Sequence, residues 1–437
     1  MKAGFRRSLL VLGVALALVA GACGDDDGGD EEGEGTTSTT EAEQAASREN
    51  ADGTVKFGTL VPQSGDLQVI VESLATPIQM AVDEINAAGG LLGGDVVIVP
   101  GDDGTNANVA QTTYDKLINT DQVDVILGPA PSSVAANMVE TFGTDRIPVC
   151  SGSTTSADLS GSGDGYFFRT APGDDLQGPA LANLIQSDGH TNVAIIARND
   201  DYGKGFSESL GNALEEGGST VTETVLYDPE SGSGYDADVQ KALDSSPDAV
   251  AIIGFNDDGA QIVNVMIGKG AGPADMPIYT ADGMQSSGFA ASVDESDPSK
   301  VAGIKGTAPA AAPAGIEHPF LAAFAETGVD TIFSSYFYDC TILMALAIYS
   351  ADSEDGSEIA EAFAKNLEGE NDCQTFAECK ALLDEDKTIH YRGASSNFDV
   401  WNTMEPGSGV YDVWQYTDTG EVGDVEGAEQ ITIDGEG

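Results

Sequence analysis

The feature that most constrains this chain is a strand–loop–helix alternation that runs twice. Val55–Val61 is a buried-strand run, broken by Pro62-Gln63-Ser64-Gly65. Leu74, Ile78, Ala81 and Ile85 then recur at helical spacing until Asn86-Ala87-Ala88-Gly89-Gly90 ends the helix. Val96–Val99, Val123–Leu127, Ile147–Cys150 and Phe167–Arg169 follow as further strands, separated by helical stretches. The pattern restarts at Val193–Ala197 and runs on through Val221–Tyr227, Ala249–Ile253 and Ile278–Tyr279. Such alternation predicts an α/β chain of two lobes, each a parallel sheet with helices on both faces.

Ligands of open parallel sheets bind beyond the carboxyl ends of the strands, beside helix amino ends. The loops to inspect are therefore 62–66, 128–133, 151–156, 199–203, 254–258 and 281–284. In the first lobe they carry hydroxyls: Ser132 and Ser133, then Ser151, Ser153, Thr154, Thr155 and Ser156. Hydroxyls with free backbone N–H groups at a helix start suit a carboxylate; plain helix capping is the alternative. The second lobe offers Tyr202, Phe255 and Asp282. An acid at a strand end can hold an ammonium by a charge-assisted hydrogen bond, although Asp282-Gly283 is also a common turn pair. Carboxylate receptors on one lobe and an ammonium receptor on the other together describe an α-amino acid.

Charge narrows the alternatives. The 437 residues hold 18 Lys and Arg against 73 Asp and Glu, a formal net charge of −55. Nucleic acid needs a basic face, and anionic lipid a polybasic patch; neither is available. With 41% hydrophobic residues the chain still has the means to build a core. Enzyme readings find little support. His190 and His318 read as surface or loop positions, and no Gly-x-Ser-x-Gly elbow or Walker A loop is present. The run Asp102-Asp103-Gly104-Thr105-Asn106 lacks the spacing of an EF-hand and reads as a solvated turn capping a helix. No catalytic residue, cofactor or metal is expected.

The amino end sets the compartment. Lys2, Arg6 and Arg7 precede an apolar run, Leu9–Ala20, too short to span a bilayer. Gly21-Ala22-Cys23 resembles a bacterial lipobox, with Ala20 where Leu or Val is usual. Residues 1–22 are then a signal peptide and Cys23 the lipidated first residue; an ordinary signal peptide cut near Ala22 is the alternative. Residues 23–53 are acidic and almost without apolar groups, as expected of a disordered tether. Of the other cysteines, Cys373 and Cys379 are close enough to pair. Cys150–Cys340 would follow by elimination, unless both are separate buried thiols.

Several ordered motifs resemble the type I periplasmic binding proteins, and within them the leucine/isoleucine/valine-binding family that serves ABC importers. They are Leu60-Val61-Pro62-Gln63-Ser64-Gly65, Ala81 through Gly90, Ile126-Leu127-Gly128 with Ser132, Arg169-Thr170-Ala171-Pro172, Gln177-Gly178, and Tyr202-Gly203-Lys204-Gly205. The resemblance spans about residues 54–416 and implies two Rossmann-like lobes joined by a three-segment hinge. It implies lobe one from 54–172 and 307–400, and lobe two from 173–306 and 401–420. Residues 421–437 are left as an acidic frayed tail. Ser132 and Thr155, or its neighbour Thr154, would face the ligand carboxylate. Asp282 would hold the ammonium, Tyr202 would contact the ligand from the same lobe, and Phe255 and Ile70 would line the side-chain pocket. Pro131 departs from the pattern, and the Phe333–Tyr338 region aligns loosely. The implied protein is a monomeric, lipid-anchored extracytoplasmic receptor that closes on an aliphatic or other uncharged amino acid and passes it to an ABC permease. An amide, urea or aromatic-acid binder on the same fold, or a ligand-sensing module, are the alternatives.

Overall fold

A computed structural model describes residues 53–435 except 233 and 403. The expected signal peptide, Cys23 and the expected tether as far as residue 52 lie outside the described residues. Five strands build the first sheet: β1 (Lys56–Thr59), β2 (Val97–Val99), β3 (Val125–Leu127), β4 (Val149–Ser151) and β5 (Phe167–Arg169). They are all parallel, in the order β2-β1-β3-β4-β5. Between them run α1 (Val71–Ala87), α2 (Ala107–Lys116) and α3 (Ser132–Asp145). The helices cover both faces, which is why β3, β4 and β5 are buried at every residue.

The second sheet begins with β6 (Asn192–Arg198), β7 (Thr220–Tyr227), β8 (Ala249–Ile253), β9 (Ile278–Thr280) and β10 (Lys305–Pro309), again parallel, in the order β7-β6-β8-β9-β10. Its helices are α4 (Asp174–Ser187), α5 (Asp201–Glu216), α6 (Asp236–Asp244), α7 (Asn256–Gly268) and α8 (Phe289–Asp294). The chain then returns to the first lobe with α9 (Pro319–Ala325), α10 (Ser334–Ala351), α11 (Gly356–Lys365), β11 (Asn371–Cys373), α12 (Phe376–Leu383) and β12 (Ile389–Tyr391). After the short ribbon β13 (Trp401–Asn402) and β14 (Glu405–Pro406) it crosses back as β15 (Ser408–Tyr416), antiparallel to β10. Helix α10 is buried from Ser334 through Ile348, because α1, α11 and α12 pack around it.

Three expectations change. β10 pairs with β9 and β15 through Pro309, so the second lobe extends past residue 306. Arg169 N–H donates to Met404 O and Ser160 to Glu405, so the first lobe holds the chain past residue 400 and the last crossing falls near Gly407. The acidic tail is not frayed: β16 (Val422–Asp424) and β17 (Ile431–Asp434) both pair with β15. Ile431 and Ile433 pack on Leu176 and Tyr411, a period-2 apolar signal obscured by the surrounding carboxylates. His318 is a loop residue, as expected, but does not lie at the surface. It is buried, its Nδ1 accepts the Phe320 N–H at the start of α9, and its Nε2 lies 2.8 Å from Gln374 O.

Both disulfides are present. Cys150 at β4 bonds Cys340 on α10, and Cys373 bonds Cys379 within one turn of chain. The first closes a span of 190 residues and the second a span of 6. Loop-closure entropy then predicts losses of about 5 kcal/mol for Cys150→Ala with Cys340→Ala and about 2 kcal/mol for the Cys373, Cys379 pair. Urea unfolding of the two double variants checks the ranking.

Candidate functional site

In each sheet the strand order reverses beside the first strand of the lobe, between β1 and β3 and between β6 and β8. A crevice opens at the carboxyl ends of strands on either side of such a reversal. The loops after β1, β3, β4, β6, β8 and β9 converge there on one cleft of about 470 Å³, its mouth included. Ile70, Ser132, Thr155, Tyr202, Phe255 and Asp282 all line it. Thr154 does not; it is fully buried, with its hydroxyl oxygen unpartnered. Adjacent residues on an extended loop point to opposite sides, so only one of the pair can face the cleft.

The first-lobe hydroxyls are wired to one another. Ser132 opens α3 without capping it. Its Oγ instead accepts the backbone N–H groups of Thr155 and Ser156 at 3.1 and 3.2 Å. With its lone pairs engaged, that hydroxyl has its proton left to donate. Ser153 Oγ donates to Ala130 O, and Ser151 Oγ to Pro129 O. The loop after β3 is held from below by Asp103, whose carboxylate accepts Ala130 N–H at 3.1 Å and Thr105 N–H at 2.8 Å. Asp103 is fully buried, and that burial pushes its pKa up to about 7. The acidic run therefore caps a helix as expected, through Asn106 at the start of α2, but it is not merely a solvated turn, because its buried Asp103 braces the cleft.

Arg169 is the other brace, and its role was not legible in the sequence. It is 1% exposed. Its guanidinium donates to the carbonyls of Ser156 and Thr154, to Ser160 Oγ and to Glu405. Two of its nitrogens converge on one Glu405 oxygen in a charge-assisted pair, so the 154–156 loop is fixed from behind.

The second lobe supplies a stacked wall. Tyr202 lies on Phe255 with ring centroids 5.5 Å apart, and the Arg198 guanidinium sits 3.9 Å from the Phe255 centroid on the ring face. Arg198 is paired with Asp258 and Asp200 in its own lobe and reaches Asp66 of the first lobe at 3.6 Å. Ser156 Oγ to Asp201 O and Ser287 Oγ to Asp330 Oδ2 add two further links between the lobes. Asp282 is the one carboxylate among the lining residues. Its Oδ1 accepts from Gln177 Nε2 at 2.8 Å and from Tyr202 Oη at 3.4 Å. Burial raises its pKa to about 6, against the lowering by those donors.

Sequence reasoning missed Leu67, Val69 and Ser286 and left Phe333 open; all four line the cleft, as does Ser153 of the hydroxyl-rich loop. Leu67 and Val69 lie on a single helical turn ahead of α1, too short to carry a period. Phe333 adopts φ +57°, in the left-handed region, and no residue type announces such a conformation in a bulky side chain.

A family model for periplasmic binding proteins matches residues 54–386. The chain belongs to that family, whose members are extracytoplasmic solute-binding proteins of the ABC-transporter type. A chemotactic signal transduction system substrate-binding protein, BasB of Halobacterium salinarum, is 27% identical over 84% of this chain and 88% of its own length. A Leu/Ile/Val-binding protein, BraC3 of Rhizobium johnstonii, is 28% identical over 39% of this chain and 46% of its own. Among solved structures, the leucine-binding protein LivK of Thermotoga maritima superposes with TM-score 0.71 at 20% identity, over 87% of this chain and 99% of that one. LivJ of Streptococcus pneumoniae, in complex with isoleucine, gives 0.68 at 23% identity over 87% and 100%. A solute-binding protein of R. palustris, in complex with 4-hydroxybenzoate, gives 0.67 at 15% identity over 86% and 97%. The fold is that of type I periplasmic binding proteins.

The side chains of Arg198 and Asp258 are each 6% exposed, and that of Asp66 is 45% exposed. Arg198→Met strands a buried carboxylate and is expected to cost about 3–5 kcal/mol. Asp66→Asn removes a half-exposed partner and should cost less than about 1 kcal/mol. Chemical unfolding of the two variants measures the difference.

Proposed function

We propose that the chain captures an uncharged, mainly aliphatic amino acid in the interlobe cleft, closes on it, and presents it to an ABC permease. The observation that carries this reading is the opposition of unlike polar groups across an apolar cleft. On one side stand the amino end of α3, the Ser132 hydroxyl and Thr155; on the other, buried Asp282 beside Tyr202. The first set suits a carboxylate, the second an ammonium. Leu67, Val69, Ile70, Phe255 and Phe333 leave the remaining wall apolar, where a charged side chain would lose its hydration without a partner. Closure gains only from contacts that the ligand makes with both lobes at once.

The relative that serves chemotaxis in H. salinarum favours a second use of the same capture, in which the closed form is read by a signalling partner. Uptake of the ligand by a deletion strain distinguishes transport from sensing. The 4-hydroxybenzoate complex of R. palustris raises an aromatic acid as ligand. Asp282 speaks against it, since an acid ligand gains nothing from a second buried carboxylate. In the same reading, Cys23 carries a lipid and residues 24–53 tether the receptor to the outer face of the membrane. Cys23→Ala should then move the protein from the membrane fraction to the soluble one and abolish labelling by radioactive palmitate.

A thermal-shift screen with neutral L-amino acids tests the ligand. Saturation at 100 times the dissociation constant adds about 2.7 kcal/mol of stability. Asp282→Ala should weaken binding by about 1.5–3 kcal/mol. Ammonium binding needs the ionised carboxylate, whose pKa in the free protein is pushed up to about 6. Affinity should therefore be flat above that pH and fall about tenfold per unit below it. An aromatic acid bound in preference, or affinity that strengthens on acidification, would overturn the assignment.

A further inference from the structure

Asp282 does not stand alone. Behind it, on the first turns of α4, lie Asp174 and Gln177, both fully buried. Gln177 Nε2 donates twice, to Asp282 Oδ1 at 2.8 Å and to the carbonyl of Thr307 at 3.1 Å. Thr307 belongs to β10, immediately before the chain crosses to the first lobe, and α4 begins immediately after the opposite crossing. One amide thus ties the acid of the cleft to the two chain segments that leave and enter the second lobe. Tyr202 donates to the same Oδ1, so both side-chain donors gather on one oxygen, and the backbone N–H of Asp282 itself is a third donor to the carboxyl.

We propose that Gln177 is a positioning residue for Asp282: its amide fixes the carboxylate at the cleft through Oδ1, holds it ionised, and anchors it to the β10 crossing. This inference rests on the reading of Asp282 as the ammonium receptor. The need for such a donor is electrostatic. Asp282 is desolvated, and its neighbours include Asp174 and Tyr202 as well as Tyr411 of β15. None of these is a cation. Arg169 reaches only as far as the field of Asp174. Burial and then Asp282 push Asp174 well above the usual carboxylate range. A neutral amide donor lowers the cost of the Asp282 charge without competing with an incoming ammonium, which a Lys or Arg at position 177 would do.

The test reads the carboxyl directly. In the ligand-free mature chain labelled at aspartate Cγ, the Asp282 resonance is assigned with Asp282→Asn and titrated by NMR. Gln177→Met, of similar volume, should raise the midpoint by about one pH unit, the tenfold expected of one lost hydrogen bond to a charge. Gln177→Glu should raise it too, and serves if the Met variant fails to fold. L-Leucine affinity measured by calorimetry from pH 5 to 9 should show the same upward shift, with wild type and variant converging at high pH. An unmoved carboxyl midpoint, or a loss of leucine affinity uniform across pH, makes Gln177 a packing residue only and overturns the inference. Unchanged leucine affinity in Asp282→Asn would instead overturn the ammonium reading, whatever the midpoint in the Gln177 variants does.

Discussion

The cleft depends on the buried guanidinium of Arg169. A loop that presents Thr155 to one side must turn its backbone carbonyls to the other, away from water. Unpaired, those carbonyls would each cost about 1–3 kcal/mol. Arg169 satisfies Ser156 O and Thr154 O together and has its own charge balanced by Glu405 on the last ribbon. The same ion pair draws the 401–406 ribbon onto β5, which sets where the final crossing begins. Ser132 then needs only two backbone N–H groups to lock the β3 and β4 loops into one surface. Asp103 completes the arrangement from the β2 side.

The second lobe uses the opposite device. There a cation is surrounded by acids, with Arg198 held by Asp258 and Asp200 and stacked on Phe255. The stack fixes the aromatic wall and also places positive charge where Asp66 of the first lobe can meet it. A half-exposed contact of this kind is weak, so it links the lobes without locking them together. The large acidic excess of the chain is consistent with this economy, since few basic residues remain and the buried ones are placed at the cleft.

Much of the fold was legible because parallel sheets covered on both faces demand continuous apolar runs, and β6 and β8 read that way without ambiguity. The site loops followed from the strand ends, and six of the seven expected lining residues are in the cleft. What was not legible had physical reasons. Thr154 and Thr155 differ only in which side of a loop they face, which Arg169 decides from fifteen residues away. Phe333 lies in a backbone conformation that no composition signals. β17 was hidden because four acids or amides surround two isoleucines. Asp103 read as a surface turn because its acceptor role is paid out to Ala130, a residue with no side chain to announce it.

The position of β15 has a consequence for how the protein is made. Strand β10 is flanked by β9, formed from residues just before it, and by β15, which comes about a hundred residues later in the chain. As the polypeptide emerges, β10 presents an open hydrogen-bonding edge until β15 arrives. Open edges invite pairing with other chains. The second lobe is thus sealed only when residues 408–434 fold over β10 and the face of α4. A chain that stopped before β15 would keep the first sheet and still expose the edge that β15 closes.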